Sequence, residues 1–475
     1  MARINTNVSA LTAQRGLARS SKNLATTLQH LSTGLRINRG ADDPAGLIAS
    51  EGLRSEIAGI NQAIDNSSRA SNVIATTEGA LGEVAALLLN IKSLVVQAAN
   101  SGALSREEVE ANQLQVDSAV QSITRISNTT TFAGLKLING SLDYLTSGVA
   151  TTDIQALNIG QANFGTRAAI PVQVDVLTSA RTAELEFRAS ATNAPVTLEI
   201  TGNDGVQVLT FSSGTTASSI AFAVNGISDS TGVTADLINP AAANSGLTFK
   251  STGYGSRSFV SVQAQSGNFA TVDSTGSAKN RTVGRDAVAT VNGALTVGDG
   301  LDVKVNTTTL EMELSLAESF GAGSTSFSIT GGGALFQLGP QVQSNQQVNI
   351  GIQSMAASKL GTNAVGFLSD IVTGGSATLV AGKAGDASRI LETAIDQVSV
   401  LRGRLGAFEK NTLDTNINSL SVALENVTAS ESSIRDADFA KETSNLTRAQ
   451  ILTQAGTSVL ATANATPQSV LSLLQ

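Results

Sequence analysis

Cysteine and tryptophan are absent from the 475 residues, and histidine occurs once, as His30. No disulfide, thiolate nucleophile or cysteine metal site is therefore available. One histidine also excludes two-histidine metal sites and acid/base pairs of histidines. Aromatic rings are scarce, with 14 Phe and 2 Tyr. Charged residues make up only 14%, against roughly 25% in an average globular chain. Lys plus Arg number 30 and Asp plus Glu 38, leaving a net charge of −8. An acidic chain has no electrostatic reason to seek phosphate backbones or anionic lipid, so neither nucleic acid nor membrane insertion is expected. Disordered chains pair low hydrophobicity with high charge, and this chain has neither. The balance suits small side chains packed in long helices. It suits no enzyme, and no cofactor is expected.

The first residues carry no apolar run of signal-peptide length, and no stretch approaches the roughly 18 apolar residues of a membrane span. Cytoplasmic residence and export without cleavage both stay open.

Three compositional zones follow one another, and together they predict an α+β chain. Up to about residue 130 the pattern is helical. Leu17, Ser21, Leu24, Leu28, Leu31 and Leu35 are spaced 4-3-4-3-4, a coiled-coil seam. After a break at 38–44, Asp43 and Pro44 form a cap and first-turn pair for a second helix. Its stripe runs through Ile57, Ile60, Ile64, Ile74, Leu81, Val84, Leu88, Ile91 and Val95. Ser105 and Glu108 have capping-box spacing for a third. From about 131 to 385, alternating stretches such as Val196–Ile200 and Val303–Val305 read as strands. Asn-Gly pairs at 139–140, 225–226 and 292–293 read as turns between them. Thirteen or more short strands imply one or two small β-rich domains. Helix returns near 386, with Leu391, Ala394, Val398, Leu401, Leu405 and Phe408 spaced 3-4-3-4-3. The register then breaks before Leu413. A last amphipathic segment holds Phe439, Leu446, Leu460 and Leu471 to Leu474, with too few partners in its own segment to be buried.

Helices at both ends flank the β region, so the two ends must pack on each other as a stalk with the middle inserted. Apolar seams at both extremes also need burial. Copies of the same chain would supply it, giving a polymer, whereas an ordinary bundle would tuck its ends into its own core.

Several segments carry a resemblance. Leu31-Ser32-Thr33-Gly34-Leu35-Arg36-Ile37-Asn38, Asp42-Asp43-Pro44-Ala45-Gly46-Leu47 and Asn61-Gln62-Ala63 resemble the N-terminal signature of bacterial flagellins. Ala437–Glu442, Arg448–Leu452, Gln454–Leu460 and Pro467–Leu474 resemble its C-terminal partner. The resemblance implies a subunit of the extracellular flagellar filament, exported through the flagellar type III apparatus. It implies an inner-core helix over 1–43, outer-core helices and a hairpin over 44–167, and a variable β-rich surface region over 168–333. The outer core would resume over 334–430, and a C-terminal inner-core helix would close the chain over 431–475. Expected partners are many copies of the chain, hook-associated junction and cap proteins, and an export chaperone at the C-terminal segment. Leu24, Leu28, Leu31, Leu35, Phe439, Leu446, Leu460, Leu471 and Leu474 are the expected self-assembly contacts. A junction protein of the same superfamily and an exported helical-stalk adhesin are the competing readings.

No catalytic or metal site stands out. Capping explains Asp42 and Asp43, and a structural or interface role suits His30. In many flagellins an Arg on the second long helix and a Glu on the next contact the vertebrate Toll-like receptor that recognises monomeric flagellin. Alignment through Val96–Asn100 and Arg125–Ser127 places that Arg at Asn90, the residue before it at Leu89 and the Glu at Ser122, while Leu94 is kept. Weak receptor activation is expected.

Overall fold

In the computed structural model, residues 6–100, 102–165, 167–242, 245–307 and 309–472 are described. Three helices come first: α1 (Val8–Thr33), α2 (Pro44–Ala99) and α3 (Arg106–Thr129). Two short helices, α4 (Ala217–Asn225) and α5 (Ser228–Thr231), lie in the middle. The chain then runs through α6 (Ala384–Phe408), α7 (Asp414–Arg435) and α8 (Phe439–Ser472).

Helix ends follow local chemistry. The Asn7 side chain accepts from the Ala10 amide at 3.0 Å and starts α1. Gly34, at φ 75°, ends it in the left-handed region that favours glycine. Leu35 therefore lies beyond the helix, not in its seam. It bridges to Asp436 instead. Asp43 caps α2 through the Gly46 amide at 2.9 Å. Ser105 and Glu108 form the reciprocal capping box of α3. At Glu409–Leu413 a π-helical turn follows α6, where the apolar register breaks. Such a turn inserts one residue per turn and rotates the following stripe.

The chain divides into two units. One comprises residues up to Arg69, Leu338–Val342 and Thr412 onward; the other comprises Ala70–Gln337 and Gln343–Asn411.

In the second unit, Ile74, Leu81, Leu88 and Ile91 of α2 are fully buried, as are Ile390, Leu391, Val398 and Leu405 of α6. Lys92 pairs with Glu392 at 3.3 Å and Glu78 with Arg402 at 3.6 Å, which fixes the two helices antiparallel. By length and composition alone α2 is apolar enough to cross a membrane, contrary to the expectation that no stretch approaches that limit. Its apolar stripe is the core of a helical packing, which accounts for that composition. Gln113 of α3 accepts from the Leu379 amide and donates to the Ile371 carbonyl, both at 2.8 Å.

Two packed β layers share this unit. Five antiparallel strands run in the order 294–297, 288–291, 170–178, 323–332, 144–147. Five more run 302–306, 310–316, 154–162, 347–350, 334–337. Val172, Val174, Met312, Leu314, Phe327 and Ile329 fill the core they share. Strand 154–162 pairs with 310–316 and strand 144–147 with 323–332, so these sheets join strands from both sides of the border expected at 167/168, while 334–337 and 347–350 pair with each other and the latter with 154–162. Asn292 and Gly293, at φ 48° and 82°, make a two-residue hairpin turn joining Val291 to Ala294.

A separate core is built from a three-stranded and a four-stranded sheet. Phe187 and Phe269 stack there at 3.9 Å, with Phe249 edge-on at 6.1 Å. Ile220 and Val224 of α4 fill it too. Asn225-Gly226 is thus a helix end, not a turn between strands. The Asn225 side chain binds both backbone groups of Ala235, at 2.8 and 2.9 Å.

Candidate assembly surface

In the first unit α1 and α8 run antiparallel. Asn7 donates to the Ala463 carbonyl at 2.8 Å, and His30 Nδ1 lies 3.5 Å from Glu442 at the opposite end. Past α1, the Ala437 amide donates to the Gly34 carbonyl at 2.9 Å and the Arg36 amide to the Arg435 carbonyl at 2.7 Å. A short backbone ladder thus joins the start of α8 to the end of α1.

The facing sides are heptads of small residues. On α1 the covered positions are Ala10, Ala13, Leu17, Ser20, Leu24, Thr27 and Leu31. On α8 they are Glu442, Leu446, Ala449, Thr453, Gly456, Leu460 and Ala463. The seam drawn from leucines alone is therefore corrected. Leu17, Leu24 and Leu31 belong to it, whereas Ser21 and Leu28 are exposed beside Ser20 and Thr27, which occupy the inward places. The α8 stripe has an internal partner after all. Leu446 and Leu460 lie in a contact within the chain, not on a bare face. Phe439 is exposed. The Leu471 side chain and Leu474 lie outside what the structure describes.

This pairing buries little. Thr27 is the one buried side chain of α1, and Ala449 the one among the described side chains of α8. By contrast, eight side chains of α6 are buried. Full burial of a leucine is worth about 1.5–3 kcal/mol, and half-covered leucines yield a fraction of that. Meanwhile Val8, Leu11 and Leu28 of α1 and Phe439, Ile451, Leu452 and Val459 of α8 stand exposed, Ile451 by 63%. Ser444, Thr447, Arg448, Ile451 and Leu452 line a groove of about 430 Å³ along α8. Exposed apolar side chains grouped in this way make these helices a candidate contact surface.

Polar contacts also tie α2 to α7. Asn416 donates to Ser67 Oγ at 3.1 Å and to the Leu338 carbonyl at 2.8 Å. Arg435 meets Glu51 at 3.0 Å. The Asp42 carboxylate accepts from the amides of Arg39 and Asn38, at 2.9 and 3.1 Å, and these hold it below the usual carboxylate range. It shapes the loop before α2 and does no acid/base work.

The positions expected to meet the receptor fall in the other unit. Leu89 and Asn90 of α2 are exposed, and Leu94 and Ser122 are half-buried. Among the described residues no cluster of His, Asp or Glu is arranged to hold a metal.

Residues 4–143 match the bacterial flagellin N-terminal helical region, and residues 389–474 the bacterial flagellin C-terminal helical region. The chain is 30% identical to a flagellin of Salmonella rubislaw over 505 residues, covering 99% of each chain. It is 31% identical to the B-type flagellin of Pseudomonas aeruginosa over 522 residues, again covering 99% of each. Among solved structures, FliC from Burkholderia pseudomallei aligns over 72% of this chain and 99% of its own, at 16% identity and a TM-score of 0.26. The chain belongs to the bacterial flagellin family: it is no enzyme but a structural subunit that self-assembles into the extracellular flagellar filament of swimming motility.

Proposed function

We propose that the exposed apolar faces of α1 and α8 are the contacts through which this flagellin polymerises. One observation carries the reading: the two helices cover each other along seams of small residues yet leave Leu11, Leu28, Ile451, Leu452 and Val459 bare. Neighbouring copies would cover that surface, supplying burial that the α1–α8 pair lacks within one chain. The inner layer is then formed by 1–43 and 431–475, and the outer core by 44–167 and 334–430, whose strands 144–162 and 334–350 share sheets with the 168–333 region. The β-rich region over 168–333 faces outward. The same apolar face of α8 suits an export chaperone before assembly. Junction and cap proteins meet the polymer at its ends.

Electron microscopy and sedimentation of Leu452→Asp and Val459→Asp chains test the assignment. A charge at either position of α8 blocks filaments while the circular dichroism of the chain is kept. Filaments of normal length from both variants would refute it.

The altered receptor positions have a consequence of their own. Asn90 cannot make the two-pronged, charge-assisted hydrogen bonds of a guanidinium, and Ser122 has no carboxylate, so this flagellin activates the Toll-like receptor weakly.

A further inference from the structure

We propose that a basic cleft in the β-rich region, between the 182–187 strand and the edge strand 281–283, binds an acidic polysaccharide of the cell's surroundings. It would grip carboxylate or sulfate groups through Arg181, Arg281 and Arg285. The inference rests on the outward placement of 168–333.

The cleft has a volume of about 610 Å³, and its wall brings Arg181, Lys279, Arg281 and Arg285 together against Glu184 and Asp273. Four cations face two carboxylates in a chain of net charge −8. Asp273 is already committed. It accepts from the amides of Thr275 and Ser277 at 2.9 and 3.0 Å and sits 2.8 Å from Lys279 Nζ. The other ion pairs beside the cleft use Arg188 and Lys250. Three guanidinium groups are left with no carboxylate partner among the described residues.

Their placement is ordered by backbone. Arg281, Val283 and Arg285 are exposed in alternation with Thr282 and Gly284. Two residues of strand advance about 6.6 Å, so the stems of Arg281 and Arg285 leave the chain about 13 Å apart. Arg181 and Arg285 exchange backbone hydrogen bonds of 2.8 and 3.0 Å, which sets those two side chains opposite each other. The Arg285 guanidinium donates to the Ser179 carbonyl at 3.2 Å, and Arg281 lies over the Phe259 ring at 4.3 Å. Both are oriented before any ligand arrives.

The spacing chooses the ligand. A single phosphate cannot touch cations spread over that length, whereas a chain bearing an anion on successive sugars can. Guanidinium meets carboxylate and sulfate alike in a two-pronged geometry. Single-stranded nucleic acid would want an aromatic face for its bases, and the face of Phe259 is taken by Arg281.

Purified chain, as monomer and as filament, is titrated at low salt with fluorescent fragments of polygalacturonate and of heparin, and with a single-stranded DNA oligonucleotide. Binding of at least one saccharide, weakened by salt, is expected, and the two arms separate carboxylate from sulfate. Arg281→Ala combined with Arg285→Ala should weaken binding about tenfold or more, while Arg257→Ala, outside the cleft, should not. Arg181→Gln serves as a milder second variant, with circular dichroism as the check on folding. Absence of saccharide binding at millimolar concentration, indifference to these substitutions, or tighter binding of the oligonucleotide would overturn the proposal. Binding by monomer that disappears in filaments would overturn the outward placement and leave the cleft's assignment standing.

Discussion

Gly456 of α8 lies directly against Leu17 of α1: a Cβ added there would stand 3.3 Å from Leu17 Cδ1 and 3.6 Å from its Cα. Glycine inside a helix costs about 1 kcal/mol relative to alanine, so its presence midway along α8 needs a packing reason. The close approach of the two backbones is that reason. Gly456→Ala gains helix propensity but needs Leu17 to shift by a few tenths of an ångström, so a near-neutral effect is expected. Gly456→Val overfills the seam and costs about 1–3 kcal/mol. Heat-induced depolymerisation of filaments should occur clearly earlier for the valine variant and within a few degrees of wild type for the alanine one. Equal behaviour of both would show that the seam opens in the filament.

Much of this architecture is legible in the sequence, and the misses share a cause. Capping pairs such as Ser105 with Glu108, and the Asn292-Gly293 turn, are local chemistry and need no tertiary knowledge. The α6 stripe is legible because its inward places carry bulky apolar residues. The α1 seam is not, because Ala10, Ala13, Ser20 and Thr27 hold inward places while Leu28 points outward. Reading leucines alone shifts the face by one position in each heptad. The helix α4 was available in the i, i+3, i+4, i+7 spacing of Ala217, Ile220, Ala221 and Val224, but its β-rich flanks hide it. Nothing local announces that Arg181 and Arg285 lie opposite each other across 103 intervening residues, since a β-bridge made them neighbours.

A second prediction concerns the core of the five-stranded sheets. The Tyr144 hydroxyl accepts from the Ala162 amide at 2.8 Å and donates to the Asn349 carbonyl at 2.9 Å, both buried. Tyr144→Phe leaves both backbone groups without that partner, at a cost of about 1–3 kcal/mol. Thermal melting of the monomer should drop by several degrees, while filaments still form at ordinary temperature. An unchanged melting point would mean that water replaces the hydroxyl.

Acid should unfold the monomer in a defined direction. Asp42 is held low by the amides of Arg39 and Asn38, Asp175 by the Ser324 hydroxyl and the Gln173 amide, and Asp386 by the Arg389 guanidinium. A carboxyl depressed on folding contributes stability above the usual value of 3.8, and that stability is lost as pH falls through the lower folded value. Asp143 acts oppositely, because burial pushes its carboxyl up and acid relieves the cost. With Asp273 and Asp286 also held low, five depressed carboxyls stand against one raised carboxyl. The denaturant midpoint should stay flat down to about pH 5 and fall steeply below about pH 4. A midpoint that climbs on acidification would show that buried carboxyls such as Asp143 dominate.

The last prediction concerns the receptor face of α2 and α3. Asn90 is exposed, and Leu89 beside it is 59% exposed, so neither side chain serves the core, and substitution there leaves the fold intact. Leu94, one turn on, is half-buried. Truncating an arginine anchor at an interface centre typically costs about 2 kcal/mol or more, a loss of roughly thirtyfold in affinity. With the carboxylate absent at Ser122 as well, the loss grows, though not additively. Purified monomer should therefore activate a Toll-like receptor reporter cell far less than an arginine-bearing flagellin does. Asn90→Arg combined with Ser122→Glu should recover much of that activity, and Asn90→Arg alone only part. Since Asn90 is exposed and Ser122 lies outside the buried core, the melting temperature of the double variant should stay within about a degree or two of wild type, which separates a receptor effect from a folding one. Full potency of the unmodified chain would refute the assignment of these positions, and a double variant as weak as the parent would place the missing contact elsewhere.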